Sequence, residues 1–409
     1  MMKKVKRKII MVICNLIMAL RSLFWKKDNS VVVMDAWFGE RFADNPRFLF
    51  QYLSENKNNL GLTHVVWVSH SKQIVKMLRN MGYEAEILGT PASIKYHKIA
   101  RYHICNNTPT GTKGHKNELD AYYSFRAKRI NLWHGVGVKR GVFCSNEYLQ
   151  KKKKHPILCG INEKLQYSKI YRTLMKEPGG WGDCYWLTTT KEFTEQFHTW
   201  FLGPLDHYMQ LDYPRNHECI AFTEEEAAVL DLMKGFNKIV LYLPTYRGRS
   251  ESGFEFKYLA SQISNELKLH NILFIQKSHS DNDEEDDKKQ NVVTLRDGFD
   301  INTIIPYVSV VITDYSSVGN DAVYHEIPVI NYIPDWNEYL TYDRGLIKNP
   351  RRGIAGPLVK STEEVLRFIL NTPDLDEHYY SVRNRYWKTD MSYPKIWEGI
   401  VEAVNNKKK

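Results

Sequence analysis

Residues 308–332, VSVVITDYSSVGNDAVYHEIPVINY, decide the fold. The opening run, 308–312, is almost wholly β-branched, which suits a buried strand. A hydroxyl-rich turn follows (Thr313, Asp314, Tyr315, Ser316, Ser317), then a helical stretch through Asp321 to Glu326, then a second apolar run at 328–332. Two strands joined by a helix form a parallel pair, because a parallel crossover needs about a dozen residues or more, whereas a hairpin needs a short turn. Runs that are apolar throughout, rather than alternating, belong to strands covered on both faces.

The same pattern extends along the chain. Lys238-Ile239-Val240-Leu241-Tyr242-Leu243-Pro244 opens this second sheet, which continues at 272–276 and 292–295. Further upstream, strands are expected at 30–34, 64–69, 84–88, 102–106 and 129–133, with helices at 46–55 and 72–81. The stretch 150–213 is mixed and aromatic, and reads as helices closing the first domain. Ser361-Thr362-Glu363-Glu364 is a capping box leading into a helix at 365–370. The fold class is therefore α/β, with two Rossmann-like, doubly wound parallel sheets. The expected domains are 1–27, 28–220, 221–390 and a terminal helix with basic tail at 391–409.

Composition agrees with two domains. A chain of 409 residues, 43% hydrophobic and 13% aromatic, has material for two cores and exceeds the size of most single ones. Its formal charge of +10 favours an anionic partner: a nucleic acid, an acidic membrane face or a phosphorylated substrate. No basic and aromatic stripe at regular spacing accompanies that charge, which argues against nucleic acid. Much of the excess lies in clusters at the two ends and at Lys151 to Lys154, where a solvated basic run is the simplest reading. The six cysteines show neither CxxC pairs nor Cys/His metal spacing, which points to a reducing compartment without structural zinc. The dense acidic stretch 281–287 reads as a solvated loop tip and lacks the pattern of an EF-hand loop.

The N-terminus carries an apolar run at 9–20 flanked by Lys and Arg. It is shorter than the roughly 20 residues a spanning helix needs. Arg21, Phe24, Trp25, Lys26 and Lys27 stand where a signal peptide would have its cleavage site. Residues 1–27 are therefore expected to lie as a basic, apolar helix on an anionic membrane surface. An uncleaved short anchor and a helix packed on the protein are the alternatives.

Several residues stand where α/β sheets bind ligands. His134 follows an apolar strand and precedes Gly135 and Gly137, a position suited to a general base, although a structural histidine can sit there too. Lys277 and His279 follow another strand and could stabilise a phosphoryl group, or form a solvated loop pair. Thr313, Asp314, Ser316 and Ser317 precede a helix and could hold a pyrophosphate through backbone N–H groups and hydroxyls. The plainer reading is an N-cap with extra serines. Arg247 and Arg344 are candidate phosphate contacts, with surface ion pairs as the alternative. Walker A, GxGxxG, HExxH, GxSxG and zinc-deaminase signatures are absent.

An ordered series of motifs resembles the CDP-glycerol glycerophosphotransferases, which build teichoic acids and related phosphodiester polymers. It comprises Asp44-Asn45-Pro46-Arg47, Trp133-His134-Gly135 with Lys139, Asp212-Tyr213-Pro214-Arg215-Asn216, Pro244-Thr245-Tyr246-Arg247 and Lys277-Ser278-His279. The patch from Thr313 to Ser317 with Asp321 and Pro328, and the span from Asp335 through Tyr339 to Arg344-Gly345, complete it. The resemblance implies a GT-B architecture whose two domains face a cleft, with a final helix at 395–404 packing back across a domain boundary. It implies a CDP-glycerol or CDP-ribitol donor, a lipid-linked or polymeric acceptor, and peripheral attachment to the cytoplasmic face of the bacterial membrane. The sequence shows no dedicated cation site and no certain cofactor; metal dependence and oligomeric state are left open.

By resemblance, His134 and His279 match the family's essential histidines, and Thr313 to Ser317, Asp321 and Arg344 fall in the donor region. Gly135, Lys139, Arg247 and Lys277 lie in the same motifs. The chain departs from the family pattern at Asp212, His217 and Ser280. It also lacks the large N-terminal region of many family polymerases, and so looks like a minimal catalytic unit. A GT-B glycosyltransferase using a nucleotide sugar and a catalytically inactive membrane-bound binding protein are the competing readings.

Overall fold

Every strand pairing among the described residues of the computed structural model is parallel, and the strands form two separate sheets. The structure describes residues 2–107, 120–245, 259–277, 291–342, 345–388 and 391–405. By their contacts these fall into two units. Unit 1 holds Met1–His134, Lys154–Ile220 and Asp390–Lys409; unit 2 holds Gly135–Lys153 and Ala221–Thr389.

The sheet of unit 1 is built from β1 (Asp28–Met34), β2 (His64–Ser69), β3 (Glu84–Ile87), β4 (Ala100–Cys105), β5 (Lys128–Asn131), β6 (Tyr185–Thr188) and β7 (Tyr208–Gln210). Their spatial order is β3-β2-β1-β4-β5-β6-β7. Val31 to Met34 and Val65 to Val68 are fully buried, as expected of strands with helices on both faces. The strand order reverses between β1 and β4, and an open α/β sheet binds its ligand at such a switch point, beyond the carboxyl ends of the strands.

In unit 2, β8 (Lys238–Tyr242), β9 (Ile272–Lys277), β10 (Val292–Leu295), β11 (Val310–Thr313), β12 (Val329–Tyr332) and β13 (Leu358–Val359) are ordered β10-β9-β8-β11-β12-β13. Counted within the unit, that order is 3-2-1-4-5-6, the dinucleotide-binding arrangement, with its switch point between β8 and β11. The capping box expected before the Thr362–Leu370 helix is present, with the Ser361 and Glu364 side chains serving each other's backbone N–H.

Three differences from the sequence expectation have physical causes. Within 150–213, where only helices were expected, the chain also forms β6 and β7, whose four and three residues are too few to display a period. β5 ends at Asn131 rather than Trp133, because Asn131 Oδ1 accepts the Trp133 N–H (2.8 Å) and Trp133 turns left-handed (φ 56°). Lys277 is the last residue of β9 rather than the first beyond it, and its Nζ donates to the Phe299 carbonyl (2.9 Å). The acidic stretch 281–287 lies outside the described residues.

Both chain ends pack on unit 1. The terminal helix Tyr393–Asn405 buries Ile396, Trp397, Ile400 and Val404, with Trp397 edge-on to Tyr102 of β4 and Lys128 donating to the Val404 carbonyl. The N-terminal helix Met2–Ser22 is held by Asn15, which is fully buried. Its amide donates to the carbonyls of Leu174 and Glu177 (3.0 Å each) and accepts the Gly179 N–H (2.9 Å). No helix among the described residues is long and apolar enough to cross a membrane. Replacing Asn15 by Ala removes these bonds and leaves buried backbone groups unserved. An Asn15→Ala variant is expected to lose about 1–3 kcal/mol in urea unfolding.

Candidate active site

In unit 1, β5 delivers the chain into a turn that depends on buried polar side chains. Asn45, at the start of the Asp44–Glu55 helix, donates its amide to the carbonyls of Leu132 (3.1 Å) and Trp133 (3.0 Å) and accepts the Arg215 N–H (3.2 Å). The Arg215 guanidinium bridges the Asp44 carboxylate (2.5 Å) and the His134 carbonyl (3.0 Å). Asp44 also accepts the Asn45 N–H (2.8 Å) and the Asn106 amide (2.9 Å). All four side chains are buried. The charges are thus paired and hydrogen-bonded, the condition under which buried ions are tolerated.

His134 sits inside this frame. Its Nδ1 donates to the Asn106 carbonyl (3.2 Å), which places the ring proton on Nδ1 and the lone pair on Nε2. The imidazole packs against two indoles, Trp133 (centroids 4.0 Å apart) and Trp37 (5.1 Å). Trp37 is held in turn by its N–H, which donates to Asn106 Oδ1 (2.8 Å). Trp37, Phe38, Asp44 and Trp133 all have positive φ. Left-handed backbone at bulky residues costs about 1–3 kcal/mol each and persists where surrounding contacts enforce it, commonly at functional sites. Beside this loop, burial pushes the Asp35 carboxyl at the end of β1 up to about 7.

Asp212 and His217, where the chain departs from the family pattern, face each other, with His217 Nε2 3.5 Å from Asp212 Oδ2. Asp212 accepts the Tyr213 N–H (2.8 Å) and the Asn216 amide (3.3 Å), and so braces the loop carrying Arg215. Burial pulls His217 down to about 4, which keeps it neutral.

In unit 2, the loops after β8 and β11 are joined by Asp314. Its carboxylate accepts the Thr245 N–H (3.0 Å) and hydroxyl (2.6 Å), together with the N–H groups of Tyr315 (2.5 Å) and Ser316 (3.2 Å). Two of the N–H groups expected to meet an anion are therefore occupied by Asp314. The Lys139 ammonium donates to Thr245 Oγ1 (2.9 Å), and Thr313 donates to the Leu243 carbonyl (2.8 Å). Ser317 precedes the Val318–Tyr324 helix without making a side-chain cap bond, and the neighbouring Ser316 Oγ accepts the Val318 N–H instead (3.5 Å). Asp321 is buried one turn into that helix, and its N–H donates to the Ser317 carbonyl (3.2 Å).

Gly135 explains its own identity. A Cβ there would lie 2.3 Å from Ser317 Oγ and 2.8 Å from Ser317 Cβ, so only glycine lets this segment approach the turn. Asn320 secures it by donating to the Val136 carbonyl (3.2 Å). His279, Arg247 and Arg344 lie outside the described residues. Among the described residues, no three His, Cys, Asp or Glu side chains group as metal ligands.

With this geometry in hand, comparison with known proteins decides the family. The profile described as CDP-Glycerol:Poly(glycerophosphate) glycerophosphotransferase matches residues 17–393. The chain belongs to this family. As a member it is a glycerophosphotransferase. It is 25% identical over 403 residues to a teichoic acid poly(glycerol phosphate) polymerase of Bacillus spizizenii, covering 93% of this chain and 95% of that one. It is 21% identical to a teichoic acid glycerol-phosphate transferase of Staphylococcus aureus, with 88% of each covered. Among solved structures, the wall teichoic acid polymerase TagF shares the fold, with a TM-score of 0.64 at 16% identity, over 100% of this chain and 98% of that one.

Asp44, Asn45 and Arg215 belong to motifs quoted from the sequence, yet nothing there marked them as partners of one another or of the His134 loop. Asn106 had no signal beyond its place after a strand. The frame predicts a large stability effect: Arg215→Ala leaves Asp44 buried without its counter-charge and is expected to cost about 3–5 kcal/mol in urea unfolding. Arg215→Lys, which keeps the charge and loses the planar fork, should lose less.

Proposed function

We propose that this enzyme transfers glycerol phosphate from CDP-glycerol to a hydroxyl of a lipid-linked, growing polyol-phosphate acceptor in teichoic acid biosynthesis, releasing CMP. The names of its relatives support the donor and the polymeric acceptor. The observation that carries the mechanism is the hold on His134, whose Nδ1 is bonded to a backbone carbonyl so that Nε2 bears the lone pair. In this reading Nε2 takes the proton of the acceptor hydroxyl. The freed oxygen attacks the β-phosphorus, the new P–O bond forms, the bond to CMP breaks, and CMP leaves with that electron pair. His279 and the Ser316-Ser317 turn are assigned to the phosphoryl oxygens, and Lys139, Lys277, Asp321, Arg247 and Arg344 to the donor's phosphates and their surroundings. CDP-ribitol is the alternative donor.

His134→Ala is expected to lower turnover about 10²–10⁴-fold, the usual contribution of a general base, with a modest change in donor binding. The comparison is CMP release at saturating donor against donor titration. Unchanged turnover removes the assignment.

We also infer that the Met2–Ser22 helix docks on the inner face of the membrane. Asn15 fixes one face to unit 1, while Val5, Ile9, Ile13, Leu16 and Leu20 stay exposed, and Phe24 beyond it is 90% exposed. Lys and Arg flank this apolar strip, the composition of an interfacial helix. Because Asn15 also ties the helix into the fold, substitution tests this better than truncation. Ile9→Asp with Ile13→Asp should abolish sedimentation with anionic vesicles and leave the unfolding midpoint nearly unchanged. Vesicle binding equal to wild type would assign attachment to another surface.

A further inference from the structure

Unit 2 contains a second feature suited to anions, apart from the Asp314 loops. The segment 138–140 is zipped to 345–347: Arg140 N–H donates to the Gly345 carbonyl (3.0 Å), Lys139 bridges Leu346, and Ile347 N–H donates to the Val138 carbonyl (2.8 Å). From this anchored base the chain enters the Asn146–Lys154 helix, none of whose residues is buried. Between helix and base lies a pocket of about 510 Å³ lined by Arg140, Asn146, Leu149, Gln150, Lys152 and Lys153.

The lining has a definite chemistry. Three of the six residues are cations and none is acidic. Arg140 is pre-positioned, its guanidinium donating to Asn146 Oδ1 (3.0 Å), while the Asn146 amide donates to the Leu340 carbonyl (3.1 Å). Cations that can grip a phosphodiester thus stand beside the amides of Asn146 and Gln150, which can exchange hydrogen bonds with polyol hydroxyls. A bilayer surface is a poorer fit, because half of the lining side chains are cationic and Leu149 is the one aliphatic residue among them. The exposed apolar surface of the Met2–Ser22 helix has the opposite character.

We propose that this pocket, whose lysines stand on the Asn146–Lys154 helix beyond Lys139, binds a polyol-phosphate unit of the acceptor polymer. It is a site for the anionic chain behind the reacting end. The proposal rests on the phosphotransfer reading for the identity of the polymer, and its readout does not.

The test uses the full-length protein with Lys152→Ala and Lys153→Ala combined; both lysines stand on a helix that buries no residue, and alanine preserves the helix. Binding of short and long fluorescent glycerol-phosphate oligomers is measured by anisotropy without donor, CMP release with short and long lipid-linked acceptors, and sedimentation with anionic vesicles. The expected result is about tenfold weaker binding of the long oligomer, and a matching rise in its KM, from loss of two charge-assisted contacts. Turnover with the short acceptor and vesicle binding stay unchanged. Unaltered affinity for the long oligomer overturns the proposal and leaves the lysines a solvated run. Equal losses with short and long acceptors, or loss of vesicle binding, overturn it in favour of a role at the reacting end or at lipid. Should wild type bind the oligomer and the variant not, while neither releases CMP from any donor, the pocket stands and the phosphotransfer reading falls.

Discussion

The buried ion pair between Asp44 and Arg215 is the constraint on which the His134 loop of unit 1 depends. Neither charge could be buried alone, and together they satisfy the start of one helix, the end of β5 and the loop that follows β7. Four left-handed residues, Trp37, Phe38, Asp44 and Trp133, surround the same network. Their backbone strain is offset by contacts that would not form if the loops relaxed. The result is a histidine whose carbonyl and Nδ1 are hydrogen-bonded and whose ring packs against Trp37 and Trp133. In the proposed role of general base, a group held this way would enter the reaction already oriented, which removes an entropic part of the barrier.

Unit 2 solves a related problem with a different device. One carboxylate, Asp314, gathers the ends of β8 and β11 at the switch point of the 3-2-1-4-5-6 sheet. The Gly135 segment can reach this turn only because residue 135 has no side chain. The boundary between the units falls at the peptide joining His134 to Gly135, so each half of the Trp-His-Gly motif answers to a different framework. The tripeptide therefore combines two demands: a histidine fixed by buried polar groups, and a glycine admitted by its lack of a Cβ.

Much of the fold was legible because parallel strands buried on both faces announce themselves as apolar runs. The stretch 308–332 folds as β11, helix and β12, with boundaries shifted by a residue or two. β6 and β7 escaped notice because strands of three or four residues carry no period, and their aromatic side chains fit helix and strand alike. His134, Lys139 and Asp314 could be singled out by strand-end position and motif order. Their supports could not. The left-handed turn at Asp44 and the meeting of Asp44 with Arg215 join residues 171 positions apart, and local propensity has no bearing on such a contact. Nor does the sequence show that Asp212, read singly as a departure from the family pattern, holds the Tyr213 N–H and the Asn216 amide of the loop that carries Arg215.

The reaction itself is the most direct test of the proposed transfer. Purified protein given CDP-glycerol or CDP-ribitol, with and without a lipid-linked acceptor, should release CMP from CDP-glycerol only when the acceptor is present, with the acceptor gaining the mass of one glycerol phosphate per CMP. Folded protein that releases no CMP from either donor, or that releases a nucleoside diphosphate from a nucleotide sugar instead, would contradict it.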